Sequence, residues 1–366
     1  MNKNVISPYG LFSCLLIGRI MNSVMIIVTS DTVFSDSDLI LRPFFSIVVI
    51  LVAGLPVLLY IKRFRVTGIT EAAARIKPVY GKVTACIYVV IYIYIGIRAT
   101  SRFDLFTSSV MLPETNMTIF IVILLIVCTY NAMLGLRTIG RTSMVLLILV
   151  ELAIFTLVMF SLKEVDYLNM TPFFLDGVGA FVKDVFISAS YFFELGIIPL
   201  LLSKIRGNTT KAFIIFIIIV LLQTTLSAFM IVSTLGNFAN IQLFPAFSIS
   251  SIGNIGIFKR LDAAITAFWI FGIVVRLSFI IYICTDTLSV VFPKMKSGVR
   301  AAVVLACISS AALFISNKIS RFAILTQRYP LMLVCFFLIS VLPSLVLLGN
   351  RKKERNNKKN EEKIVS

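Results

Sequence analysis

The sequence predicts an all-α, polytopic membrane protein, and three observations carry that prediction. Hydrophobic residues make up 59% of the 366-residue chain and charged residues only 14%, at a mean hydropathy of +1.00. A water-soluble domain cannot enclose that much apolar side chain. The apolar residues fall in long continuous runs, and about 20 such residues cross a bilayer as a helix. A membrane barrel would instead show segments of about ten residues with alternating polarity. Finally, the loops between the runs separate by charge sign, as topology requires.

About ten spans follow in order from length and hydropathy. The first covers 10–29 and the second 39–61. The third, 79–106, is long and tyrosine-rich. The fourth and fifth cover 117–136 and 142–162, the sixth 179–202 and the seventh 211–235. The eighth, 261–291, exceeds what a bilayer needs and is expected to tilt. The ninth and tenth cover 299–315 and 331–348. The first run is too long for a signal peptide and has no small-residue cleavage site, so it is read as a span. Residues 1–350 form one membrane domain, and 351–366 form a basic tail, expected to be disordered and cytoplasmic.

The net charge of +17 reflects that topology, because the basic residues are scattered over short loops and do not form a nucleic-acid surface. Lys62, Arg63, Arg65, Arg137, Arg141, Lys204, Arg206, Lys294 and Lys296 mark one side, which the positive-inside rule makes cytoplasmic. Asp31, Asp36, Asp38, Glu114, Glu164, Asp166 and Asp176 mark the other. Both termini are therefore expected in the cytoplasm. Lys318, Arg321 and Arg328 depart from the pattern.

The chain has no histidine, which removes Ser-His-Asp and Cys-His catalysis, the HExxH zinc motif and imidazole proton relays. The six cysteines lie within apolar runs and form no CxxC pair, so no metal or disulfide is expected. No Gly-rich phosphate loop is present. The protein is read as a non-enzyme without cofactor, whose environment is the lipid bilayer and not nucleic acid.

The sixth span breaks the pattern of the others. Tyr191, Phe192, Phe193, Glu194, Gly196 and Pro199 place an acid, a glycine and a proline at membrane depth. Intramembrane acids are costly and mark functional sites by default. A helix break is tolerated there only where the freed backbone is buried or lines a cavity. Ten spans divide into a five-plus-five inverted repeat, and such repeats place broken helices at corresponding positions. The first span should then be broken at Gly18, Arg19 and Asn22. Arg19 and Glu194 both lie roughly 13–14 Å from the cytoplasmic end of their spans, at 1.5 Å per residue.

Glu151 and Arg276 complete a buried network with Arg19 and Glu194 that is neutral overall. Either these charges hold helices together or they mark a ligand path, and the sequence leaves both open. Two broken helices would offer N–H ends to a carboxylate and C=O ends to an ammonium, which suits an amino acid. Gly18 and Gly196 would let a ligand approach the backbone. Tyr92, which shares a face with Tyr88, and Trp269 are candidates for the cavity wall. Arg102 is expected to snorkel outward.

Several segments resemble the spore germination permeases, the B subunits of bacterial spore germinant receptors, within the amino acid–polyamine–organocation transporters. They are Ile6-Ser7-Pro8-Tyr9-Gly10-Leu11-Phe12, Met111-Leu112-Pro113-Glu114-Thr115, and Tyr130 through Gly135-Leu136 to Ile139-Gly140-Arg141. Ser190-Tyr191-Phe192-Phe193-Glu194 and Arg260-Leu261-Asp262-Ala263 with Trp269-Ile270 complete the set. The resemblance implies a ten-helix fold of the leucine-transporter type with helices 1 and 6 unwound around a nutrient germinant, often an amino acid. It also implies an A subunit and a C lipoprotein subunit as partners in the spore inner membrane, with the termini in the spore core. Arg19 stands where that family usually has a small residue, and Phe193 where it usually has glycine. Three functions are open: a germinant-sensing subunit, a coupled amino-acid transporter, and a structural subunit without ligand. Arginines on both the first and eighth helices predict that no sodium ion couples to binding.

Overall fold

The computed structural model describes residues 4–24, 37–111, 117–207, 209–252, 261–316, 325 and 327–365. Among these residues the chain is helical, and its one β-type pairing is a parallel bridge between Ile6 and Ile205. In chain order the helices are α1 (Pro8–Val24), α2 (Asp38–Ala53), α3 (Leu55–Phe64), α4 (Ile69–Ile76), α5 (Pro78–Phe106), α6 (Met117–Leu134), α7 (Leu136–Ser161) and α8 (Val178–Ser190). There follow α9 (Ile197–Leu201), α10 (Thr209–Leu235), α11 (Pro245–Ile252), α12 (Leu261–Val291), α13 (Ser297–Ser316), α14 (Arg328–Phe336) and α15 (Leu342–Val365).

Six helical runs are long and apolar enough to cross a membrane, and the number reaches eight if each of two bent pairs is one span. Ten spans would also require the shorter apolar stretches Pro8–Met21 and Thr118–Leu134 to cross. The outward faces carry Val48, Val52, Val90, Ile148 and Leu222, exposed apolar side chains that water would penalise and lipid does not. The protein is thus a multi-pass, all-α membrane protein.

The centre is built on α1, α5 and α12. Leu11–Met21 of α1 is buried without interruption, and α1 packs on α7, α10 and α12. α12 packs on α5, α6, α7 and α13, and 72% of its apolar window is enclosed, against 22% for α13. Polar pins fix α1 on α7: Cys14 Sγ donates to Ser143 Oγ at 3.2 Å, and Ser143 Oγ donates to the Gly10 carbonyl at 3.3 Å.

The sixth span is broken as expected. α8 ends at Ser190, a 3-10 turn spans Phe193–Gly196, α9 follows, and the two halves bend by 43°. Pro199 has no N–H to offer the Leu195 carbonyl, so the α-helical ladder fails there and tightens into 3-10 turns. The expected break in the first helix is not found: α1 runs straight through Gly18 and Arg19 to Val24. A lone glycine costs a helix only about 1 kcal/mol relative to alanine, and enclosure on all sides outweighs that. The second break lies in the second span, where α2 and α3 bend by 46° at Gly54 ahead of Pro56. Helical structure also continues through the basic tail to Val365, carried by Lys, Arg and Glu, which are good helix formers. Arg63 pairs with Glu354 there at 2.6 Å.

Both breaks meet one element. Between α14 and α15, Phe337–Val341 forms a π-helical turn. Its Ser340 Oγ donates to the Ala53 carbonyl at 2.5 Å, beside the first break. Its Leu338 packs on Gly196 at the second, where a Cβ would stand 2.9 Å from Leu338 Cβ.

Candidate functional site

The bend between α8 and α9 turns Glu194 towards the middle of α1. A Cβ at Gly18 would stand 3.5 Å from Glu194 Oε1 and 3.9 Å from Arg276 Cγ, ordinary contact distances, so the three groups converge with little space to spare. Arg276, on α12, donates from Nη1 to the Gly18 carbonyl at 2.6 Å. The Arg19 guanidinium lies 3.8 Å from the centre of the Phe192 ring, a cation–π contact made by the residue two before Glu194. Glu194 lies in the electrostatic reach of both Arg276 and Arg19. All three charged side chains are only 5–6% exposed, a placement that is costly without mutual compensation.

The neighbours are aromatic. Tyr92 is fully buried with its ring parallel to Tyr88 at 6.1 Å, and Glu194 acts on it electrostatically. Its hydroxyl has no hydrogen-bond partner among the described residues. Tyr88 donates to the Gly196 carbonyl at 3.0 Å, closing one group that the break frees. Tyr191 is half-buried next to the Arg19 side, while Phe193 is buried in the core.

Other expected members stand apart. Gly196 faces Leu338 and Tyr88, so its lack of a side chain serves helix packing and not ligand approach. Glu151 is separate from the other charges: it accepts from Gln223 Nε2 at 3.4 Å across α7 and α10, which reduces the expected four-charge network to a triad. Trp269 packs on Phe103 at 5.6 Å and Phe106 at 4.4 Å and lines a second, apolar cavity with Ile20 and Met21. It is about two turns, or roughly 10 Å, along α12 from Arg276. The Asn22 side chain lies outside the described residues. Because α1 is unbroken, the helix break next to the triad is the one between α8 and α9.

A profile of the family described as "Spore germination protein" matches residues 44–321, most of the chain. The chain belongs to this family. It is also similar to "Spore germination protein XB" of Bacillus anthracis, 26% identical over 270 residues, which are 73% of this chain and 76% of that protein. The bent span, the central triad and the apolar exterior therefore belong to a germination-related membrane protein.

Several charged contacts in this family member escaped the sequence reading. Arg42 on α2 pairs with Asp184 on α8 at 2.8 Å, joining the two bent spans. Arg102 does not snorkel: it is buried and hydrogen-bonds the Tyr191 side chain. Buried Arg98 reaches the Leu325 and Gln327 carbonyls and Tyr94, which hold it in place. At the other end, Lys204 pairs with Asp286 and lies 3.3 Å from the Tyr282 hydroxyl, which donates to Asn4 at 3.4 Å. Arg42 and Asp184 each fall about one turn into the second and sixth apolar runs, which enter the membrane from the same side, a signal open to a comparison of depths.

Proposed function

We propose that this chain is a membrane subunit of a spore germinant receptor. It senses a small nutrient germinant, an amino acid or similar carboxylate, at a mid-membrane site where α1 meets the α8–α9 break, and so triggers germination. The observation that carries the reading is the convergence of Arg19, Glu194 and Arg276 on Gly18, opposite the broken helix. A ligand inserted there would compete for the triad's charges and change the angle between α8 and α9. Two bent spans joined through Arg42–Asp184 and one π-helical turn offer a path for that change to spread.

In the same reading all ten apolar segments cross the membrane as a five-plus-five repeat, with both termini on the spore-core side of the inner membrane. An A subunit and a C lipoprotein subunit complete the receptor. Sodium-coupled transport is disfavoured by the Arg276–Gly18 contact: a guanidinium occupies a carbonyl that a sodium ion between α1 and α12 would need. The test is a germinant panel on spores in which this subunit replaces its counterpart in a related receptor. Transfer of germinant preference with the subunit supports the reading; preference that stays with the recipient's other subunits contradicts it.

A further inference from the structure

A cavity of about 110 Å³ opens between α1, α2, α8 and α10, with Arg19 in its wall. Its polar lining includes Arg19, Arg42, Ser46, Tyr191, Thr224 and Ser227, and no acid lines it among the described residues. The lining is rich in donors: guanidinium groups only donate, and hydroxyls can turn to donate. Leu39, Pro43, Ala228 and Ile231 supply an apolar wall.

The described interior of the protein has an excess of positive charge. The buried charged side chains that the structure describes are five arginines and three acids. Asp184, paired with Arg42, and Arg328, which acts on Tyr191, add one of each sign. Arg98, Arg102 and Arg276 repel one another, and Arg98, Arg102 and Arg328 all act on Tyr191, part of the cavity wall. In a low-dielectric interior such an excess favours an incoming anion.

We infer that this cavity binds a small organic carboxylate of net negative charge, held by Arg19 and Arg42 with serine hydroxyls around it. This rests on the germinant-sensing reading and narrows its ligand from a zwitterion to an anion. Guanidinium forks match carboxylate oxygens, and the apolar wall accommodates a short hydrocarbon part. A dry cavity of about 150 Å³ admits benzene, so a ligand here has roughly half a dozen heavy atoms. A lipid phosphate would share the anion chemistry but carries two long chains that a cavity of about 110 Å³ does not hold.

The test uses the full-length chain in phosphatidylcholine nanodiscs and three probes of equal size: L-lactate, L-alanine and lactamide. Ligand-induced shifts in melting temperature report affinity. L-lactate should bind at least about tenfold more tightly than lactamide, the scale of a charge-assisted hydrogen bond. The paired variant Arg42→Gln with Asp184→Asn leaves no stranded charge and should lose about tenfold in lactate affinity. Ser227→Ala, which changes no charge, should weaken lactate binding to a lesser degree and serves if the pair fails to fold. Equal binding of lactate and lactamide, or lactate affinity untouched by these variants, overturns the inference. Tighter binding of alanine than of lactate also overturns it while leaving the germinant-sensing reading intact. Loss of the lactate shift in phosphatidylglycerol nanodiscs would assign the cavity to a lipid phosphate and likewise overturn it. Failure of the germinant panel above would sink the sensing reading, whatever the probes do.

Discussion

Glu194 faces two arginines, while each arginine faces one acid, so removing the acid should cost more than removing either base. Breaking a buried ion pair typically costs about 3–5 kcal/mol because the surviving charge is stranded. Glu194→Gln strands Arg276 and Arg19 together and should fall at the upper end of that range. Arg276→Gln leaves Glu194 with Arg19 and removes the donor to the Gly18 carbonyl, so it should fall at the lower end. Glu194→Gln with Arg276→Gln removes one charge of each sign, leaves only Arg19 stranded, and should cost less than the sum of the two single changes. Trp269, the sole tryptophan and buried on Phe103 and Phe106, gives a fluorescence signal for unfolding in detergent. Additive losses in the double variant, or a greater loss from Arg276→Gln than from Glu194→Gln, would refute the shared-acid arrangement.

Three further outcomes follow from other contacts. Gly196→Ala drives a methyl into Leu338 and should destabilise by about 1–3 kcal/mol, with Leu338→Ala restoring part of the loss in the same unfolding assay. Replacing sodium by potassium should leave germinant affinity unchanged within about twofold, since Arg276 already occupies the Gly18 carbonyl; a sodium-dependent affinity would count against that role. Lys204→Gln breaks a partly exposed pair with Asp286, so stability should change by less than about 1 kcal/mol. The same change should speed maleimide labelling of buried Cys284, in a chain with no other cysteine, if Lys204, Asp286, Tyr282 and Asn4 close that end.

The sequence made the long spans legible because a bilayer demands continuous apolar runs. The eighth run, read as 261–291, coincides with α12, and the third differs from α5 by one residue at its start. The break in the sixth span was legible because Gly196 and Pro199 act locally, through a missing N–H. Gly18 misled because a glycine without a nearby proline does not break a helix that is enclosed on all sides. The α2–α3 break carried the same signal as the sixth span, Gly54 followed closely by Pro56, and only the expectation of symmetry drew attention to α1 instead. Arg19, Glu194 and Arg276 were found by depth, but depth does not encode which way a side chain faces around its helix. For that reason Glu151, at similar depth, was grouped with them although it faces Gln223. The π-helical turn at Phe337–Val341 has no sequence signature, since it arises from packing against both breaks.

The central claim is that the contact between Gly18 and the α8–α9 break is where the germinant acts. Gly18→Ala places a methyl at ordinary contact distance from Glu194 and Arg276, whereas Gly18→Leu fills the space between them. The decisive measurement is the germinant dose–response of spores carrying each variant, with receptor abundance measured in parallel. Alanine should leave the response near wild type, and leucine should abolish it or raise the half-maximal germinant concentration at least about a hundredfold, at unchanged receptor abundance. A wild-type response from the leucine variant at normal abundance would contradict the claim and leave Gly18, Glu194 and Arg276 as a structural joint.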